Sequence, residues 1–424
     1  MKTLESPLRL DNAANIYPAS LTKHYSSLFR LKVSFTEDID KDLLNKALQA
    51  VAGRFPTALC RLKPGPFWWY LFPVETPPEV HPVAPLKAFD FRKYGNHIYR
   101  VCARGKDLVL DVFHALTDGS GGKTFILSIA AEYCRLRYGI TPEYGGAILN
   151  PNDPFTKDEI EDSFMSVFGG RKGQLEKDDK AYHIDGADVG RDGLMDCRIV
   201  MPADRLKEVC HKYGCTVTEL LTAALLDSLQ HVHGLDWNPL KRNIIKVSVP
   251  VDLRPFYGSR SIRNFSTYIN IGVDLQNKRY SFEGLLREVA IRKREGLKKE
   301  NLEPKIAANV ELEESIIVRA IPLFIKKRII DSICRAHGDK LVSYTLSNLC
   351  NIELPDSMAQ YITGVDFYLG RQRGTSGAAS CVTYRGKLYL NLTRKIRSNR
   401  LEEYLVRLLG TLDIPCEVSE HTLA

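Results

Sequence analysis

One stretch of this chain has the residue types and spacing for chemistry: Asp107-Leu-Val-Leu-Asp-Val-Phe-His114-Ala-Leu-Thr-Asp118-Gly119-Ser-Gly-Gly122-Lys-Thr124. A histidine titrates near neutral pH and can draw the proton from a nucleophile held in a cleft. Asp118, four residues later, can hold the shape of the loop by pairing with a cation, which leaves the imidazole free of a carboxylate. A second chemistry is excluded. Gly122-Lys123-Thr124 would suit the end of a phosphate loop, but Thr117 stands where that loop needs its first glycine. The plainest alternative is a packed core histidine beside an Asp-Gly turn. An Asp-Gly in phase with the strand end favours the chemical reading.

The elements that must position these residues can be read from periodicity. Leu108, Leu110, Val112 and His114 share one face of a strand, and Val109, Asp111 and Phe113 share the other. Both faces are largely apolar, so the strand is expected to be buried. From Phe125 to Tyr138 the apolar spacing turns helical. The histidine thus ends a buried strand, and the aspartate sits in the turn beneath the next helix. Upstream, Leu28–Phe35 alternates as a half-buried strand, and a helix follows from about Asp40 to Ala52. Pro66–Phe72 is an aromatic-rich strand, and Asn96–Ala103 pairs as a hairpin with the His114 strand through Arg104-Gly-Lys.

From Gly139 to about Asp196 periodicity is lost among glycines, prolines and charges such as Lys177-Asp-Asp-Lys180. This is a crossover at about residues 140–195, in which Phe164–Phe168 offers a short anchoring turn. It divides the chain into lobes at 1–175 and 176–424. The second lobe opens with a strand at Cys197–Met201, a helix from Ala203 to Tyr213, and a helix over Leu220–His231 started by capping-box spacing at Thr216–Glu219. Strands at Ile244–Pro250 and Ser266–Val273 and a basic helix from Phe282 to Glu300 follow. Leu341–Asn348, Gly364–Leu369, Ala378–Tyr384 and Lys387–Leu392 read as strands of a second sheet, closed by a helix at Leu401–Leu412. The fold class is α/β (α+β), with helices packed on a mixed sheet in each half.

A chain of 424 residues, 44% hydrophobic and 26% charged, is long enough for two ordinary cores. The net charge of +8 is dispersed rather than striped between aromatic residues, so nucleic acid is not the expected partner. An acidic partner suits that sign. The ten cysteines form no CxxC pair and several lie in apolar runs, the pattern of reduced thiols in a cytoplasmic protein. Cys210, His211 and Cys215 lack a second ligand pair at zinc spacing, so no metal is expected. Met1–Pro7 has no apolar signal core. Ile316–Ile330 is the nearest approach to a membrane span but is interrupted by Arg319 and Pro322. Within it, Ile316–Arg328 reads as a core helix with a basic end, weak contact with a membrane surface being the alternative. A monomer is expected.

His114-Ala-Leu-Thr-Asp118-Gly119 resembles the HxxxDG signature of the CoA-dependent acyltransferase superfamily. That group includes chloramphenicol acetyltransferase, the plant BAHD enzymes, condensation domains of peptide synthetases, polyketide-associated acyltransferases and alcohol acetyltransferases. Further stretches are similar to the same plan: Cys215–Leu221, Val249–Arg254 followed by Arg263-Asn264, and Tyr344–Leu349 with Ile352–Pro355. Phe113 stands where condensation domains carry a first histidine, and Asp366-Phe-Tyr-Leu-Gly370 only loosely matches the BAHD motif DFGWG. The alcohol-acetyltransferase or polyketide-associated branch fits best.

The resemblance implies two chloramphenicol-acetyltransferase-like lobes and transfer of an acyl group to an alcohol or amine. The co-substrate would be an acyl-CoA or acyl-carrier thioester, with no bound cofactor. His114 would be the general base, contributing about 10²–10⁴-fold. Backbone N–H groups near Gly119, with Ser347 and Asn348, would face the oxyanion or substrate. Asp118 would pair with Arg254 from the other half to aim His114, and Asn264 would support the same turn. No GxSxG elbow offers an acyl-enzyme nucleophile. The alternatives are a condensation enzyme on carrier-bound substrates and a non-catalytic relative that keeps the fold.

Overall fold

The computed structural model describes residues 4–22, 25, 27–174, 178–190, 192–236, 238, 240–336 and 340–423. The first three residues of the Met1–Pro7 stretch and Lys177 of the charged crossover run lie outside them.

In the first lobe, β1 (Leu8–Arg9) and α1 (Ile16–Ser20) lead to β2 (Leu28–Phe35), α2 (Lys41–Ala52), β3 (Cys60–Pro64), β4 (Trp69–Pro73), β5 (Val80–Pro82), β6 (Tyr99–Arg104), β7 (Asp107–Phe113) and α3 (Gly119–Tyr138). The crossover holds α4 (Lys157–Ile160) and α5 (Ser163–Phe168). The second lobe runs through β8 (Met195–Pro202), α6 (Ala203–Tyr213), α7 (Val217–Leu235), β9 (Ile244–Asp252), α8 (Arg254–Tyr257), β10 (Ser266–Asp274), α9 (Phe282–Leu297), α10 (Lys299–Glu314), α11 (Ile316–Ala320) and α12 (Leu323–Ala336). It closes with β11 (Tyr344–Ile352), α13 (Asp356–Ala359), β12 (Ile362–Leu369), β13 (Gly377–Tyr384), β14 (Lys387–Arg394), α14 (Arg400–Thr411) and β15 (Glu417–Thr422).

Two large sheets carry the fold. The first is ordered β12-β2-β7-β6-β5 and the second β10-β9-β11-β13-β14-β8-β15, with a small sheet β1-β4-β3 beside the first. Each large sheet is mixed: β5 runs parallel to β6, and β11 runs parallel to both β9 and β13. Helices α2 and α3 cover the first sheet, while α7, α9 and α14 bury their apolar faces against the second. The architecture is therefore two sheet-rich lobes with packed helices.

Three expectations are corrected. Gly364–Leu369 does not belong to the second sheet. As part of β12 it leaves its neighbours in sequence and forms the edge of the first sheet, antiparallel to β2. Its apolar alternation fits either sheet, and the backbone ladder with β2 places it in the first. Asp366, buried, faces Lys32 of β2 at 3.0 Å and Arg198 of β8 at 2.7 Å. The basic helix from Phe282 splits at Lys298 into α9 and α10. Ile316–Arg328 is not a core helix: it breaks ahead of Pro322 into α11 and α12, and most of its isoleucines face outward.

Strand β7 is buried on both faces, but not by apolar packing alone. Asp111 is fully buried and takes Arg30 of β2 at 2.6 and 2.9 Å and Arg100 of β6 at 2.7 Å, both directly across the ladder. Such a triad keeps one carboxylate satisfied by two cations, and removal of one member would leave buried charge unpaired.

Candidate active site

His114 is the first residue past β7, held at its backbone N–H by the carbonyl of Ser27 at 3.1 Å. The chain then turns through Ala115-Leu-Thr into α3. That helix begins at Gly119, earlier than its apolar spacing suggests, because Asp118 caps it and accepts from the N–H of Gly121 at 3.1 Å. Small residues at the helix start hide the helical signal but serve packing. A side-chain carbon on Gly121 would lie 2.3 Å from the carbonyl oxygen of Ile262, and one on Gly119 would lie 2.8 Å from Leu349. Both neighbours belong to the second lobe, so the glycines let the lobes close on the HxxxDG turn.

The carboxylate of Asp118 turns away from the imidazole. Arg254 meets it with both terminal nitrogens, Nη1 to Oδ2 at 2.9 Å and Nη2 to Oδ1 at 3.0 Å, and the N–H of Phe265 donates to Oδ2 at 3.0 Å. Arg254 is itself fixed by Asp252 at 2.9 Å and the carbonyl of Ser261 at 2.7 Å. Ser120 donates to the other oxygen of Asp252 at 2.9 Å. Burial alone would raise the Asp118 carboxyl, but the Arg254 charge and these hydrogen bonds outweigh it and hold the group below its ordinary range.

The imidazole has a different partner. Its Nδ1 lies 3.0 Å from Oδ1 of Asn264, and the amide nitrogen of Asn264 donates to Asp11 Oδ2 at 3.2 Å. The ionised carboxylate of Asp11 can only accept, so the NH₂ of Asn264 faces it and the carbonyl oxygen faces the histidine. Nδ1 must then carry the ring proton, which leaves Nε2 as the base. Burial lowers the His114 pKa from 6.5, against the opposing pull of Asp118 and Asn264. Asp11 is fully buried beside Arg263, and burial pushes its carboxyl up to about 6. Tyr17 stacks on the imidazole at 4.4 Å between ring centroids, and Phe29 meets it edge-on at 5.4 Å.

The structure brings together His114, Asp118, Gly119, Arg254 and Asn264. Ser347 and Asn348 part company. Leu349 packs in the first lobe's core, so Thr345, Ser347 and Leu349 form the face of β11 turned toward that lobe. Asn348 points the other way and donates to Thr218 at 3.0 Å. There it lines a cavity of about 840 Å³ with Leu206, Thr218, Cys350, Asp356 and Arg385. Cys350 takes a left-handed φ of +61° beside a β-bulge, and the bend helps open this recess. Asp11 and Tyr17 were not visible as site residues in the sequence: neither stands at a spacing that links it to His114. Among the described residues no cluster of His, Cys, Asp or Glu could hold a metal ion, and no helix is long and apolar enough to cross a membrane.

No protein-family model and no curated protein sequence matches the chain. Solved structures do. Polyketide synthase associated protein 5 from Mycobacterium tuberculosis superposes with a TM-score of 0.66 at 14% identity, covering 97% of this chain and 99% of that one. TRI101 of F. graminearum, complexed with ethyl coenzyme A, gives 0.63 at 12% identity over 97% of this chain and 99% of its own. The epimerization domain from the third module of tyrocidine synthetase B gives 0.59 at 13% identity over 97% of both. At these identities the likeness is one of fold, the two-lobed fold of CoA-dependent acyltransferases and of condensation and epimerization domains.

Proposed function

We propose that this protein is an acyltransferase that moves an acyl group from a CoA or carrier-protein thioester directly to an alcohol or amine. One observation carries the reading. The chain from Asp11 through Asn264 to His114 Nδ1 sets the histidine in the tautomer of a general base, while Asp118 is fully engaged by Arg254.

In this reading Nε2 of His114 takes the proton from the acceptor hydroxyl or amine as its oxygen or nitrogen attacks the thioester carbonyl. The tetrahedral oxyanion forms beside the first turn of α3, where the N–H groups of Gly119 and Ser120 and the interlobe face of β11 with Ser347 offer donors. Collapse breaks the C–S bond, and the imidazolium returns its proton to the thiolate. The solved complexes of similar fold with coenzyme A support a CoA donor.

The test is thiol release from acetyl-CoA and longer acyl-CoAs with a panel of alcohols and amines, comparing wild type with His114→Ala. Acceptor-dependent release should fall by about 10²–10⁴-fold in the variant. Release unchanged by the substitution would sink the assignment. Release only from carrier-bound acyl groups would move the protein to the condensation branch.

A further inference from the structure

Helix α12 is built inside out. Its Lys326 is buried, with the ammonium 3.0 Å from the carbonyl of Phe67 and 3.4 Å over the ring of Trp68. Asp331 is likewise held, by Arg335 at 2.9 Å and Arg373 at 2.6 Å. Ile325, Ile329 and Ile333, spaced four apart on one row, face outward instead, 40–55% exposed, and Phe324 beside them is 66% exposed. The adjoining α11 presents Ile316 and Ile317 at 85% and 76%. Water around so many large aliphatic groups is costly, and polar contacts that hold Lys326 inward keep them in it.

The geometry points to the occupant: we propose that α11 and α12 dock on the surface of a bilayer containing anionic lipid. Side chains this exposed stand proud of the surface rather than line a groove, so they suit insertion into a soft interface better than the capture of a peptide or helix. Charge agrees. With Lys326 turned inward, four exposed basic residues remain between Ser315 and Ala336, Arg319, Lys327, Arg328 and Arg335, against one acidic residue, Asp331, which Arg335 and Arg373 hold. Exposed Lys327 and Arg328 sit between Ile325 and Ile329 in sequence, within reach of headgroup phosphates while the apolar tips sink below them. The patch continues onto neighbours of α12: half-exposed Phe67, whose carbonyl binds Lys326, and Ile16 of α1, the helix on which α12 packs. Residue 17, next in α1, is the tyrosine stacked on His114. The docking face therefore lies over the wall of the candidate active site.

The test is co-sedimentation of the full chain with vesicles of phosphatidylcholine alone or with phosphatidylserine. The wild type should bind the mixed vesicles at least about tenfold more tightly than neutral ones, and added salt should weaken that binding. An Ile325→Ser, Ile329→Ser, Ile333→Ser variant should lose at least about tenfold in affinity. It should keep the wild-type melting temperature, because those side chains support no core. A Lys327→Glu, Arg328→Glu variant should lose only the preference for anionic lipid, and it keeps the test alive should the serine variant misfold. Wild-type protein that stays in the supernatant, or a serine variant that sediments like wild type, overturns the proposal. So does a wild-type dimer that the serine variant breaks without any vesicle binding, since a second copy would then be what covers the face. The readout is sedimentation, so the outcome is independent of acyl transfer.

Discussion

The ring proton of His114 is assigned by a residue 150 positions away, and that residue by another a further 253 positions back along the chain. The relay separates two tasks that a carboxylate beside the imidazole would merge. Asn264 fixes the tautomer without adding charge, and the charge of Asp118 is spent on Arg254. Replacement of Asn264 by Leu keeps the bulk but removes the acceptor, so Nδ1–H loses its anchor. The expected result is a fall of about 10²-fold in kcat with little change in KM, read from steady-state kinetics. The pH profile carries its own sign. Burial lowers the His114 pKa, so the base stays deprotonated below pH 6.5, and the acid limb of kcat/KM should fall below that value. A limb above pH 6.5 would contradict the burial of the ring. His114, Asp118, Arg254 and Asn264 were legible because a motif or a strand end marks each. Asp11 was not, since one carboxylate in an unpatterned N-terminal stretch carries no local signal, and only the folded chain brings it to Asn264.

The first turn of α3 shows why helix starts are read late. Gly119, Gly121 and Gly122 lower helix propensity and carry no apolar phase, so periodicity begins at Phe125. What forms the turn is Asp118, which caps the helix through Oδ1 and bridges to Arg254 through both oxygens. Gly121 is indispensable there. A methyl group would press on backbone at Ile262, and backbone cannot swing aside as a side chain can. Gly121→Ala should therefore cost about 3 kcal/mol or more by chemical denaturation. Gly119→Ala meets only the flexible end of Leu349 and should cost less. Strands β2, β7 and β10 and helices α2, α6 and α7 were placed within a few residues, because alternation, helical stripes and the Thr216–Glu219 capping box are local signals. Strand β12 existed where expected but chose its sheet by partners far away, which alternation cannot encode. Helix α12 failed for a related reason: hydrophobic spacing shows that a stripe exists, while ion pairs decided which side of it turns inward.

For the whole molecule, the lobe boundary expected from the sequence at residue 175 is crossed by strand β12. Strand β12 completes the first sheet from within the second half of the chain, and Asp366 pins it to both lobes through Lys32 and Arg198. Burial would raise Asp366, but these two cations hold it below the ordinary carboxylate range. Asp366→Ala would leave two cations facing a buried gap, at a cost of about 3–5 kcal/mol. With the strand shared, the lobes should unfold in a single transition, and the variant should shift that transition as a whole. Two separated transitions in calorimetry of the wild type would refute this coupling.

The borrowed strand also sets a schedule for synthesis. A ribosome delivers β2 and β7 early, yet the edge of β2 waits for Ile362–Leu369, some two hundred and fifty residues after β7 ends. At roughly 5–20 residues per second the nascent first lobe spends on the order of ten to fifty seconds with an open strand edge. An unpaired edge flanked by apolar side chains invites pairing with other chains. Nascent-chain truncations ending before residue 362 should therefore aggregate or hold chaperones, and those extending past residue 394 should release them.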